Sequence, residues 1–312
     1  MGSKYILLIL VSIASIFHSR EQTKSITLRL ERIDPKTSHL QHATENVACD
    51  KVAIIVMDMW DKHWCKSWTA RGAAMIPKMN AALAAARKSG IQVIFSPSAV
   101  ADFYKDYPQR KAVLAMPATG EFIFPSVDEL KNMGTKERAE YTKNKKSYFE
   151  GSIYEARNIA GQAYAGYPPL PPFESTGGCE CKKRDCKMEN VWTRQNKDLV
   201  IEASDLIVEG NNRPELVNIC KARGYTHLLY MGGAGNMCLT SSRETSTINM
   251  ANRGLKCIYI EDIMISISGN GYNPDTKKTD PSFTPEKGDK MVLEHLKKYI
   301  APSIKSNELF TF

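Results

Sequence analysis

Beyond its first twenty residues the 312-residue sequence has no long apolar run, no internal repeat and no strong excess of charge of one sign. A membrane span needs ~20 apolar residues, so the mature chain is expected to be soluble, with no membrane as a partner. Lys and Arg number 42 against 34 Asp and Glu, a net charge of +8 that is spread along the chain. Two local runs, Lys143, Lys145 and Lys146, and Lys182, Lys183, Arg184 and Lys187, read as solvated loop. There is no helix-turn-helix, zinc-finger or aromatic-basic ribonucleoprotein pattern, and nucleic acid is excluded as a partner. With 43% hydrophobic and 24% charged residues, disorder, collagen and coiled coil are poor descriptions of the whole chain. The length suits one large α/β domain or two small ones.

What is there begins with Lys4 and an apolar run from Tyr5 to Phe17, closed by His18, Ser19 and Arg20. A positive start and a short apolar core read as a signal peptide over residues 1–20, and the protein is expected to be exported. Export makes the eight cysteines informative. Cys220 and Cys257 fall in apolar periodic segments and read as buried small hydrophobes. Cys179, Cys181 and Cys186 crowd one Gly- and Lys-rich loop. Zinc there would need a fourth ligand, which neither spacing nor a nearby histidine supplies. A disulfide from Cys186 to either of the other two is therefore expected.

Residues 21–50 are polar and read as an irregular N-terminal arm. An alternation of strands and helices then fills residues 51–312. Val52 to Met57, Ile91 to Phe95, Leu199 to Ile201, Thr226 to Met231 and Lys256 to Ile260 are apolar throughout and read as buried strands. Ala70 to Ser89, Pro214 to Arg223, Cys238 to Arg253 and Pro285 to Tyr299 read as helices, the first three closed by Gly90, Gly224 and Gly254. This pattern predicts a doubly wound, mostly parallel sheet with helices on both faces, a three-layer α/β/α fold. An insertion around 98–198 interrupts it, with a helix expected near Val127 to Glu140 and a stiff strip at Pro168, Pro169, Pro171 and Pro172.

In such sheets ligands bind beyond the carboxyl ends of the strands. Asp58, Ser96 to Ser98, Gly232 to Cys238, and Glu261 with Asp262 all stand at such ends. The run Met231-Gly232-Gly233-Ala234-Gly235-Asn236-Met237-Cys238 feeds a strand through a tight glycine turn into Cys238, at the expected start of a helix. Glycines aim successive N–H groups into one concavity, and a helix start lowers the pKa of a thiol. A carboxylate directly after the apolar strand, Asp58, is costly unless it has a partner or a role, and it could take a thiol proton.

On these residues the chain resembles the isochorismatase-like cysteine hydrolases, the family that includes the nicotinamidases. The likeness covers roughly residues 50–300. Ile54 to Asp58 is similar to that family's first strand, which ends in the acid of an Asp–Lys–Cys triad. Gly232 to Cys238 is similar to its nucleophile turn. The likeness is closest to secreted members with Asp-Met-Trp-Asp-x-His-Trp-Cys, here Asp58 to Cys65, and Trp-x-Arg-Gln, here Trp192 to Gln195. It implies a cis peptide between Gly233 and Ala234, an oxyanion hole from the N–H groups of Ala234 and Cys238, and a recurring acid at Asp262. Two departures stand out. Aligned on Leu199 to Ile201, the lysine position holds Ala203. Where nicotinamidases carry an Asp-x-His metal motif, this chain has Ser96-Pro97-Ser98-Ala99.

The expected function is therefore a cysteine-dependent hydrolase of a small amide or related bond, with Cys238 as nucleophile and Asp58 as base. The alternative is an inactive small-molecule-binding relative that lacks the lysine. His63, Trp60, Trp64 and Asp61 are candidates for the pocket, His63 also as a base or cation in the lysine's place. No metal ligand and no cofactor are assigned. The expected partner is a small-molecule substrate, and the sequence leaves a homo-oligomer open.

Overall fold

The computed structural model of the protein describes residues 24–117, 134–137, 139, 179–211, 213–240, 243–273 and 278–309. The N-terminal apolar run, the proline strip and most of the helix expected over 127–140 lie outside these residues. Among the described residues no helix is long and apolar enough to cross a membrane.

Among the described residues ten stretches are extended: β1 Ser25–Ile33, β2 Leu40–Ala48, β3 Val52–Met57, β4 Gln92–Ser96, β5 Leu206–Ile207, β6 His227–Gly232, β7 Lys256–Met264, β8 Tyr272–Asn273, β9 Lys278–Thr279 and β10 Ser303–Ile304. Eight of them form one sheet in the order β2-β1-β10-β7-β6-β3-β4-β5. β10, β7, β6, β3, β4 and β5 run parallel, and β1 and β2 add an antiparallel margin. The helices are α1 Lys66–Ser89, α2 Pro108–Leu114, α3 Glu215–Arg223, α4 Thr247–Asn252 and α5 Pro285–Tyr299. The result is the mostly parallel α/β sheet that the alternation of apolar runs and amphipathic stretches predicts.

Continuous apolar strands arise because both faces are covered. Ala53, Ile55, Met57, Leu228, Tyr230 and Tyr259 face one core, with Val217 and Cys220 of α3 and Val292 and Leu296 of α5. Ile54, Val56, Leu229, Met231 and Ile258 face the other, with Met79, Leu83 and Ala86 of α1. Side chains of successive residues leave a strand on opposite faces, so a strand between two helix layers must be apolar at every position. α1 and α3 end on Gly90 and Gly224, both left-handed at φ 85° and 68°. α5 starts on Thr284, whose side chain accepts from the Lys287 N–H, with Pro285 in the first position.

Three segments depart from the sequence expectation. Residues 21–50 are not an irregular arm: β1 and β2 pair antiparallel from Ser25↔Ala48 to Ile33↔Leu40. Ile26, Leu28 and Leu30 alternate inward and are buried, a period-two signal diluted by the polar outer face. Asp34 makes the turn by accepting the N–H groups of Lys36 and Thr37. Leu199 to Ile201 is not a strand. Asn80 Nδ2 donates to the Asp198 carbonyl, Asn80 Oδ1 accepts the Val200 N–H, and the strand beside β4 is β5 instead. Cys238 to Arg253 is not one helix. Residues 235–240 are turns, and of the described residues in this span only Thr247–Asn252 is helical. Leu239 O, which a helix would need for the N–H four residues on, instead accepts both the N–H and the hydroxyl of Thr247.

The hairpin makes a stability claim. Leu28 is fully buried and Leu40 is 50% exposed. Leu28→Ala should lower the unfolding free energy by about 2–4 kcal/mol, and Leu40→Ala by less than ~0.5 kcal/mol. Urea titrations of the two variants check this, and equal small effects would mean that β1 is not part of the cooperative core.

Candidate active site

The chain leaves β3 toward β4 and β5 on one side, and later leaves β6 toward β7 and β10 on the other. The order reverses between β3 and β6, and in such sheets ligands bind beyond the carboxyl ends of the strands at that point. Asp58 follows β3 directly, and the glycine turn leading to Cys238 follows β6.

Asp58 has no solvent exposure and a left-handed backbone, φ 40°. Its Oδ1 accepts the Ser98 N–H at 2.7 Å. Burial lifts its pKa to about 7, against the pull of the Arg243 charge and of the Cys238 and Ser98 side chains. Its Oδ2 has no hydrogen-bond partner, and the Cys238 thiol, 180 residues away in sequence, lies near enough to lower the acid's pKa.

The turn that brings Cys238 there is closely packed. Gly232 has φ 109°, and a Cβ on it would meet the Met57 carbonyl oxygen at 2.1 Å. A Cβ on Gly233 would meet the Trp68 ring at 2.5 Å. Gly233 N–H donates to Met57 O, tying the turn to the residue before Asp58. The Gly233–Ala234 peptide is cis. Asn236 clamps Ile267 with two hydrogen bonds of 2.9 Å, one in each direction. Among the described residues the Ala234 N–H has no hydrogen-bond acceptor, while its carbonyl takes the N–H groups of Met237 and Leu239. Because no helix starts at Cys238, a helix dipole is not what acts on its thiol.

His63, Trp60 and Trp64 do meet. Trp60 stacks on Trp192, with ring centroids 4.5 Å apart, and His63 lies 4.6 Å from Trp68 and 4.9 Å from Trp64. Trp68 in turn packs against Gly233, so this aromatic wall is continuous with the glycine turn that leads to Cys238. The Trp60 indole N–H donates to Ser98 O, the residue that holds Asp58. His63 Nδ1 accepts the Cys65 N–H, and burial lowers the ring's pKa to about 4. It is a neutral, packed imidazole and does not supply a cation. Asp61 accepts the Thr193 N–H, the Thr193 hydroxyl and the Arg194 N–H, which fixes the end of the insertion over the wall. Asp262 lies within β7 and is bound by Ser306 and Lys78.

The strand pairing also relocates the position where a lysine would be expected. β5 is Leu206–Ile207, and its carboxyl end leads to Glu209 and Gly210, not to Ala203. A Cβ on Gly210 would meet Ser96 Oγ at 2.4 Å, so a side chain at that point would have to displace the Ser96 hydroxyl. The cation whose field reaches Asp58 is Arg243, five residues beyond Cys238. Nothing in the local spacing singles it out. The same holds for Trp68 and for the part played by Ser98. A cavity of about 480 Å³ exists elsewhere, lined by Arg87, Gln92, Asp205, Arg223 and Tyr225 at the amino ends of β4 and β6. It is at the opposite edge of the sheet from Asp58 and Cys238.

No protein-family model matches the chain, and no curated protein sequence does. Among solved structures it is similar to an isochorismatase family protein from Burkholderia thailandensis, at 12% identity and a TM-score of 0.37, over 83% of this chain and 94% of that one. It is also similar to an isochorismatase from Pseudomonas putida KT2440, at 12% identity and a TM-score of 0.40, over 84% of this chain and 92% of that one.

Burial of Asp58 has a thermodynamic signature. Its folded pKa, about 7, exceeds the ordinary carboxylate value of 3.8. The contribution to stability is complete below pH ~4 and is lost as the pH rises through ~7. Asparagine keeps the acceptor for Ser98, tolerates the left-handed backbone and cannot ionise. Asp58→Asn should match the wild-type melting temperature at pH 4 and exceed it by at least about 2 °C at pH 8. Calorimetry across that range checks it, and a difference independent of pH would refute the shift.

Proposed function

We propose that the protein is a cysteine-dependent hydrolase of a small amide or related bond. The observation that carries this reading is a fully buried carboxylate, Asp58, whose Oδ2 has no hydrogen-bond partner and whose pKa the nearby Cys238 side chain lowers against the effect of burial. Asp58 titrates near neutrality, which suits a group that must accept a proton and then return it.

In this mechanism ionised Asp58 takes the thiol proton as the Cys238 sulfur attacks the carbonyl carbon. The carbonyl oxygen becomes an oxyanion, held by the N–H groups of Ala234 and Cys238. The intermediate collapses, the amine leaves with the proton from Asp58, and an acyl thioester remains on Cys238. Asp58 then takes a proton from water, the hydroxide oxygen adds to the thioester carbon, and the carboxylic acid departs. The proton on Asp58 returns to the sulfur. The aromatic wall of Trp60, His63, Trp64 and Trp192 supports binding of a small substrate with a flat or apolar acyl part.

Arg243 takes the electrostatic place of the lysine, favouring the ionised state of the acid–thiol pair. A guanidinium keeps its proton at all working pH values, so Asp58 alone carries the proton in both directions. The reading as an inactive binder draws on Gly210 standing where a lysine would be expected, and the test separates the two. We also retain export as part of the proposal, on the strength of Lys4 and the apolar run that follows.

Iodoacetamide at pH 7.5 should alkylate Cys238 faster than the other thiols, and Cys238→Ser should abolish turnover of an amide substrate found by screening. Wild-type turnover in Cys238→Ser, or no preference for Cys238 in labelling, would favour the binder. Removing the Arg243 charge raises the Asp58 pKa. Arg243→Gln should therefore move the acid limb of the kcat/KM profile to higher pH and lower activity at pH 7 by about tenfold or more. A profile that keeps its limb would remove Arg243 from the mechanism.

A further inference from the structure

The expected disulfide in the cysteine loop is absent: Cys179, Cys181 and Cys186 are free thiols, as are all eight cysteines. The fourth ligand that local spacing fails to supply comes from Cys65, 116 residues before Cys181. The four sulfur atoms lie within 4.8 Å of one another. Cys181 and Cys186 are 3.5 Å apart, and Cys65 and Cys181 are 4.0 Å apart. A disulfide would need about 2.05 Å for one pair. A tetrahedron of sulfurs around zinc, with Zn–S bonds of about 2.3 Å, has edges of about 3.8 Å. The two separations fall either side of that edge. We infer that Cys65, Cys179, Cys181 and Cys186 form a structural zinc site.

The surroundings suit a centre with net negative charge. Cys65 caps the start of α1, a 24-residue helix with no acidic residue in its first turn. The Lys66 N–H faces the Cys186 sulfur and the Ser67 N–H faces that of Cys181. The Glu180 N–H donates to Cys65 Sγ at 3.3 Å. Helix N–H groups and the positive end of the dipole stabilise thiolates. Lys182, Lys183, Arg184 and Lys187 ring the loop, which gives that basic run a role beyond solvation. Arg184, with φ 52°, reverses the chain between Cys181 and Cys186, and its N–H donates to Cys181 O at 3.0 Å.

Four protein thiolates leave zinc no open position, so the centre is structural and takes no part in hydrolysis. Its place in the fold explains its use. Cys65 adjoins the wall residues Trp60, His63 and Trp64, and the other three ligands belong to the segment that ends in Trp192 to Gln195. Next to the cluster, Arg71 of α1 donates to the buried Glu180 at 2.7 Å and also binds Asp289 of α5. Zinc would join the returning end of the insertion to the start of α1 beside the pocket.

The full chain, purified without chelators under mild reduction, should carry about one zinc per molecule by elemental analysis. Cobalt(II) substitution should give intense tetrahedral d–d bands and thiolate charge transfer. Cys186→Ser should weaken zinc binding by at least about tenfold. Cys49→Ala and Cys238→Ser should keep the metal, which separates this site from the nucleophile. Because Cys186→Ser could fail to fold, the cobalt spectrum of the unmodified protein decides independently. Reduced protein that binds no zinc, a weak octahedral cobalt spectrum, iron in place of zinc, or native disulfides among the four cysteines would each overturn the assignment.

Discussion

A carboxyl group sealed at the end of a buried strand constrains everything around it. An ionised carboxylate without partners at that depth would cost several kcal/mol. Asp58 avoids this through contacts drawn from separate parts of the chain. Ser98 donates its backbone N–H from beyond β4, Cys238 offers its thiol from beyond β6, and Arg243 adds a charge from the next turn. Each contact also carries something else. Ser98 accepts from Trp60, so the aromatic wall hangs from the residue that holds the acid. Met57 accepts from Gly233, so the glycine turn that leads to Cys238 is registered against the strand that carries Asp58. The geometry of the site is thus largely the set of conditions under which one acid can be buried.

The compensation is partial, which leaves the group titrating near neutrality. Full pairing, as in a bidentate salt bridge, would hold the carboxyl ionised and leave it a weak base. Full isolation would keep it protonated at neutral pH. Burial opposed by a distant guanidinium and two short-range donors leaves it between these limits.

Much of this was legible in the residues themselves. Val52 to Met57 followed by Asp58, and the glycine turn into Cys238, announce a parallel sheet and a thiol beside an acid, because apolar continuity and glycine spacing are local signals. What stayed hidden depends on tertiary context. The β1–β2 hairpin exposes one face, so its polar residues mask the alternation of Ile26, Leu28 and Leu30. Leu199 to Ile201 has the composition of a strand, but Asn80 and Arg87 of α1 engage it in another conformation. The helix expected from Cys238 gives way to Thr hydroxyls, whose competition for carbonyls depends on neighbours. Cys65 was visible only as part of a motif, since its companions return more than a hundred residues later.

The two margins of the large sheet differ in a way that bears on the molecule's sociability. At one margin β5 is two residues long, with α2 packed beside it. At the other, β2 runs for nine residues and, among the described residues, pairs only with β1. A strand of that length presents a ladder of unsatisfied backbone groups to any extended peptide that comes alongside. Its side chains discourage this: Gln41, His42, Thr44, Glu45 and Asn46 set polar groups along the rim. Glu45 is held there by His227 and Lys256. The same rim would turn adhesive if those positions became Val or Ile. The margin that completes the fold is therefore also where the molecule is most exposed to joining its neighbours.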